Sequence, residues 1–477
     1  MSLDIKKHKT HFIILFVVGI TIAYAMNTID PLHFVPILVA LVIIPVLFTL
    51  PIWKTWCLWP ICYALLPLFL IPIVFDMPFK VNGIRTFYIP FALLVIIINI
   101  SFFLQKCTSL KQIGSQNKFI VDKVALAFLI ILLISLLAVG VDLKKGLIYW
   151  AAWAFYIILI YHILLNSLNS RAKIKTLLTI HIFSVALTGI YGTINYLCLG
   201  FPGNIIIGRS GGTETTLLNL NESAWVALVT LPISMCSALS SSFPKKIRTS
   251  FFIASFVILT HLLLSDARWA WFSILFAFTA FLLLLFPISR HVRLKAKLAK
   301  YILIVMIIGF GFYFFVPAFH YAMRSVFSSM LNYFSGGIMT GEVDHPRAVL
   351  LEASKEIIKE HWLLGTGVGN YWAYFPTYLV TSDITEATPH CFYLRIIAEA
   401  GLGGLIIFLL FLFSAGKTLF KALRNEKDES WRLILYGFAT SFVTLGIYEV
   451  GMESVFSPFF WFFMGLLVAT EQPPYKA

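Results

Sequence analysis

Apolar stretches of about 17 to 22 residues recur along this chain, each long enough to cross a hydrocarbon core of about 30 Å as a helix. Fourteen can be counted, from residues 12–26 at one end to 455–470 at the other. In lipid every backbone N–H and C=O must find a partner inside its own segment, so such stretches have to become helices. Composition agrees: 60% of residues are hydrophobic, 12% are charged and the mean hydropathy is +0.89, far from a soluble domain. The expected fold is all-α, a polytopic membrane bundle of about 12–14 transmembrane helices. Its organisation divides into an N-terminal bundle over 1–319, one large loop over 320–400 and C-terminal spans over 401–477.

Orientation follows from lysine and arginine, which short cytoplasmic loops retain. The basic segments at 6–9, 106–118, 170–175, 244–248, 290–300 and 421–432 all fall on one side of the alternating spans, which is therefore the cytoplasmic side. The opposite side receives the 320–400 loop, with eight acidic residues against five basic ones. The formal charge of +14 is thus explained by topology, and no motif for nucleic acid is present. The first apolar run lacks a small-residue cleavage site and reads as a span. Six cysteines without paired spacing give no disulfide or zinc framework. No internal repeat supports a transporter built from inverted halves.

Three arginines fall on the outer side. Arg209 lies in "GRSGGTETTLLNLNESAW", a loop of paired glycines and hydroxyl side chains suited to close approach. Arg268, in "LLLSDARWAWF", sits in a turn so short that the guanidinium must lie at the membrane surface. Interfacial snorkelling beside Trp269 and Trp271, with Asp266 as partner, is the competing explanation. Arg347 opens an amphipathic helix over 346–363, with Asp344 as cap, Pro346 in the first turn and Gly365 at the end. Leu350, Ala353, Ile357 and Leu363 form its apolar face, while Glu352, Lys355, Glu356 and Lys359 favour water. A helix amino end with an arginine is a ready anion site; a first-turn pair with Asp344 is the plainer alternative.

In "PHCFYLRIIAEAGLGG", residues 389–404, His390 stands at the start of the next helix. A helix amino terminus disfavours imidazolium, so the neutral, base-competent ring is expected there. A lone histidine at a membrane boundary also serves as a cap, and His181 and His261 read as structural. "GTGVGN" at 365–370 fits a cap and turn better than a nucleotide loop, and "EVD" at 342–344 is a weak cation motif. Glu449 and Glu453, at the outer end of a span, fit either an acceptor site or a place in the interface, and neither reading is chosen.

These residues together resemble the bacterial O-antigen ligase and O-antigen polymerase superfamily. In that family a histidine, usually followed by Asn, Ser or Gln, leads after nine residues into Gly-x-x-Gly; His390, Gly401 and Gly404 fit the frame, and Cys391 departs from it. "PRAVLLEASKEIIKEHWLLGTGVGNYW" is similar to the family's arginine-led helix and glycine turn, "SDARWAWF" to its short arginine turn, and "RSGGTETTLLNLNESAWVAL" to its arginine loop. The likeness runs over about 200–410, in order.

The resemblance implies a GT-C-like membrane glycosyltransferase in the inner membrane, with its site facing the periplasm. The implied donor is an undecaprenyl diphosphate-linked glycan and the implied acceptor, for a ligase, is lipid A-core. No cofactor is expected. Arg209, Arg268 and Arg347 would bind the diphosphate and Arg268 would stabilise the leaving charge without a metal. His390 would take the proton of the acceptor hydroxyl. A polymerase, and a lipid-linked glycan transporter without chemistry, are the other readings.

Overall fold

The computed structural model describes residues 120–198, 220–265, 345–374 and 391–471, together with positions 57, 60, 80–81, 84–85, 267, 269–270, 273–274, 279, 311, 314 and 389. The chain divides into two compact units, Met1–Gly114 and Ser115–Ala477. In the first, strands β1 (Lys80–Val81) and β2 (Ile84–Arg85) pair antiparallel, Lys80 opposite Arg85. The apolar stretches expected near 12–26, 34–53, 57–75, 87–104, 269–288 and 301–319 fall wholly or mostly outside the described residues.

The second unit is helical throughout its described length. Helix α1 is Ile120–Val139; α2 is Leu143–Ala154, which passes through a π-helical segment, Phe155–His162, into α3, Ile163–Ser167. Then come α4 (Arg171–Cys198), α5 (Leu220–Leu239), α6 (Lys245–Leu264), α7 (His345–His361) and α8 (Tyr371–Tyr374). The last three are α9 (Phe392–Asn425), α10 (Glu429–Tyr448) and α11 (Pro458–Ala469), with a 3-10 turn at Ser454–Phe456.

Among the described residues, five segments are long and apolar enough to cross a membrane: Val121–Val139, Leu143–Ser167, Arg171–Ile194, Lys245–Leu264 and Phe392–Asn425. Ser223–Leu239 and Pro458–Ala469 are shorter apolar helices. Helix ends are set by local chemistry: Asp142 accepts from Lys145 N at the start of α2, and Asp428 accepts from Ser430 N at the start of α10. Ser457 caps α11, where Pro458 suits the first turn because its missing N–H would have no helical partner anyway.

Packing joins α9 to α1, α10 to α5, α5 to α6, α6 to α4 and α11 to the π-helical segment. A buried aromatic cluster fills the space between α1, α2, α9 and α11. Phe392 meets Phe408 edge-on at 4.7 Å, Trp153 meets Phe456 edge-on at 4.8 Å, and Phe128 meets Trp153 at 5.4 Å. Phe392 is the first residue of α9, so this core fixes where that helix begins. His181 is buried and hydrogen-bonds to Thr230 Oγ1 at 3.0 Å, and His261 is buried too, in keeping with their structural reading.

Candidate functional site

Helix α9 begins nine residues before the apolar stretch expected from 401, and it is broken at Gly401 (φ 67°, ψ −173°). Left-handed backbone of this kind costs an L residue about 1–2 kcal/mol, which glycine avoids. Space gives a second reason, because a Cβ on Gly401 would strike the backbone of Leu363. Gly365 (φ 71°) faces the same junction from the other side, and a Cβ there would strike Glu399 and Ala400.

A broken membrane helix leaves carbonyls and N–H groups that need partners. Here the "GTGVGN" turn supplies them. Thr366 N donates to Ala398 O at 2.8 Å, Gly367 N to Glu399 O at 2.9 Å, and Leu402 N to Trp362 O at 2.8 Å. Ser135 Oγ of α1 reaches Leu364 O at 2.6 Å and Glu399 O at 2.8 Å. Gly365 N donates to His361 O at 2.8 Å and closes α7, as the cap reading of the motif expected. Asn370 Oδ1 accepts from Asp142 N at 2.7 Å and ties the turn to the start of α2.

Charge is buried at the same place. Arg395 Nε donates to Glu399 Oε1 at 3.1 Å and Nη1 to Glu453 Oε2 at 2.6 Å. Glu399 Oε2 takes the Gly369 N–H at 3.0 Å, and the guanidinium lies 3.8 Å over the Phe456 ring. One arginine thereby joins the first half of α9, the glycine turn and the link that follows α10. Phe392 N completes the joint, donating to Glu449 O and Met452 O, both at 3.1 Å. Cys391 occupies the N-cap position without a side-chain cap bond, and burial pushes its thiol up, which keeps it neutral.

Helix α7 packs its apolar face here. Leu350, Ala353 and Ile357 form a buried cluster with Tyr371 and Ala398, so protein rather than lipid covers this amphipathic helix. Ser354 Oγ and Tyr371 Oη meet at 2.7 Å inside it, and burial pushes the Tyr371 phenol up to about 12. Leu363, expected on the same face, lies past the helix end and is exposed.

His390, Arg268 and Arg209 lie outside the described residues, as does "EVD"; Arg347 is placed in the first turn of α7, with nothing described of its side chain. Their neighbours are nevertheless informative. Position 390 immediately precedes Cys391 and the anchored Phe392. Trp269, next to position 268, lies with its indole against Gly451 in the link that holds Phe392. Helix α7, with Arg347, packs on Ala398. Three of the four expected positions thus sit on segments that converge on the first half of α9.

Arg395 was not among the residues singled out from sequence, although "RIIAE" places it four residues before Glu399, on one face of a helix. Its link to Glu453 spans 58 residues of chain and has no local signature.

Fold and site together define a multi-pass helical membrane protein with a discontinuous helix clamped from outside its own segment. Residues 253–409 match the family model described as O-antigen ligase. This region of the chain thus matches the O-antigen ligase superfamily, as the resemblance implied, and points to a membrane glycosyltransferase-like enzyme of the ligase and polymerase type. The matched stretch holds positions 268, 347 and 390 and excludes 209. No curated protein matches the chain.

Proposed function

We propose that this protein is an O-antigen ligase. It transfers a polysaccharide from an undecaprenyl diphosphate carrier to lipid A-core, at the periplasmic face of the inner membrane. The observation that carries this reading is the ligase-family match over 253–409, which contains three of the four candidate residues. The clamp on α9 supports it, because a catalytic group next to a fixed helix start is held in place before the acceptor arrives.

In this reading Arg268, with Arg209 and Arg347, binds the diphosphate. Charge grows on the leaving oxygen as the anomeric bond breaks, and fixed guanidinium groups stabilise that charge most in the transition state. Arginine also presents a fork of donors that fits phosphate. His390 takes the proton from the acceptor hydroxyl as its oxygen attacks the anomeric carbon, and one displacement inverts that centre. The reaction draws on no metal, so purified activity is expected to withstand EDTA.

Polymerisation of the lipid-linked polysaccharide is the second reading, favoured by the count of fourteen apolar stretches, whereas one dominant loop at 320–400 favours ligation. Deletion of the gene separates them. Ligation predicts lipid A-core without O-antigen while polymer accumulates on its carrier. Core bearing a single repeat would show that polymerisation had failed, and unaltered lipopolysaccharide would remove both readings.

A further inference from the structure

A groove runs along the lipid-exposed side of α9, with a cavity volume of about 610 Å³, inside the range of about 300–1,000 Å³ usual for ligand sites. Phe408, Leu412, Gly416 and Phe420 of α9 form one stripe at four-residue spacing and face Phe442 and Gly446 of α10. Gly416 sets the depth: a Cβ there would sit 3.2 Å from the Phe442 ring. The twelve helical steps from Phe408 to Phe420 cover about 18 Å. That is a little more than half of a hydrocarbon core of about 30 Å, the depth of one leaflet.

The two ends of the groove differ. Lys417 lies towards the far end, where its aliphatic stem can line the wall. Tyr393 and Glu449 lie at the other end. Glu449 is 2% exposed; one carboxyl oxygen takes the Ser454 hydroxyl, and Oε2 has no hydrogen-bond partner among the described residues. A buried polar atom left unpaired is costly, so it marks a place for a hydrogen-bonding group. Glu453 Oε1, four residues on, is likewise without a partner there. The nearby Arg395 guanidinium is already taken by Glu399 and Glu453, so what this end presents to a ligand is carboxyl oxygen, which accepts from hydroxyls. This end also touches the start of α9, because Glu449 O accepts the Phe392 N–H.

We infer that this groove holds an acyl chain of the lipid-anchored saccharide acceptor, with a saccharide hydroxyl at Glu449. The assignment rests on the transferase reading above and adds the acceptor's place within it. Depth excludes a chain that must cross both leaflets, and an end whose nearby arginine is already paired to two carboxylates favours a hydroxyl-bearing acceptor over the diphosphate donor. The acceptor therefore enters sideways between α9 and α10 and presents its hydroxyl at the start of α9, where Phe392 N donates to Glu449 O.

The test uses the full-length protein in lipid nanodiscs and lipid A carrying a diazirine at the end of an acyl chain. Irradiation should label peptides within 408–420 and 442–449. Excess unlabelled lipid A should remove the label, and undecaprenyl phosphate should leave it. Gly416→Trp should lower labelling at least tenfold, and Leu412→Trp provides a second block should the first variant fail to fold. Glu449→Gln, which keeps the volume, should lower capture several-fold. Label that ignores unlabelled lipid A would mean bulk lipid only, and label erased by undecaprenyl phosphate would give the groove to the donor; either overturns the assignment. Labelling as expected in a protein that cannot transfer glycan would leave the groove standing and remove the ligase reading alone.

Discussion

Around the break in α9, Arg395 meets Glu399 and Glu453 with side chains no more than 12% exposed, whereas on α7 Lys355 and Lys359 meet Glu352 and Glu356 in open solvent. Both regions use the same pairing chemistry. What differs is the cost of separation. Exposed charges return to water when their partner leaves, and salt screens them while they are together. Buried ones have nowhere to go, so removing a single partner leaves an uncompensated charge in a dry place. The α9 cluster therefore fixes geometry, and the α7 pairs keep a wet face wet.

The largest expected effect follows at once. Arg395→Ala should destabilise the second unit by about 3–5 kcal/mol, since it strands Glu399 and Glu453. Thermal unfolding in detergent measures it. Arg395→Lys should fall between, because lysine keeps the charge and loses the fork that reaches both carboxylates. Unchanged unfolding of Arg395→Ala would erase the contrast between the two regions.

Next in size is Gly401→Ala, which adds about 1–2 kcal/mol of left-handed strain before its clash with Leu363. Slower glycan transfer with a normal amount of inserted protein is the expected result. If Gly401→Ala were fully active, the break would not be needed to place the helix start.

A smaller and opposite change is expected at the cap. Cys391→Ser or Cys391→Asn replaces a weak sulfur acceptor by an oxygen facing the first N–H groups of α9, and such caps contribute about 1 kcal/mol. Either variant should unfold at a higher temperature, and no rise would mean that these N–H groups are already satisfied.

Smallest of all is the double change Glu352→Gln with Lys355→Gln, for which no shift in unfolding or transfer is expected. The hydrogen bond from Lys355 holds the Glu352 carboxyl below its ordinary value. Such a pair helps above the ordinary glutamate value, and its contribution is lost as pH falls through the lowered one. With both side chains exposed, acid and salt alike should leave stability unchanged at this place.

Much of this contrast was legible in the sequence. The charged face of α7 was read from helical periodicity, and its apolar Leu350, Ala353 and Ile357 are buried as expected. "GTGVGN" was read as a cap and turn, and Gly365 closes α7 in that way. Hydropathy placed the apolar stretches at 124–140, 177–199 and 250–265 within a few residues of α1, α4 and α6. The start of α9 was legible too, since His390 was read as standing at a helix start. The apolar stretch was placed only from 401, because "FYLRIIAEA" carries Arg395 and Glu399, which weigh against a span until their mutual pairing is known. Which turn satisfies the broken helix was not legible either. Those bonds join residues more than thirty positions apart through bare backbone, and backbone leaves no residue-type signature.

The central claim is that the clamp holds the start of α9 so that His390 can act as the base on the acceptor. Purified His390→Ala protein, given the undecaprenyl diphosphate-linked donor and lipid A-core, tests it most directly. The account predicts no transfer while the donor still binds, because the imidazole acts on the acceptor and does not hold the diphosphate. Full transfer by His390→Ala would contradict it and leave His390 as a helix-start residue with no part in the chemistry.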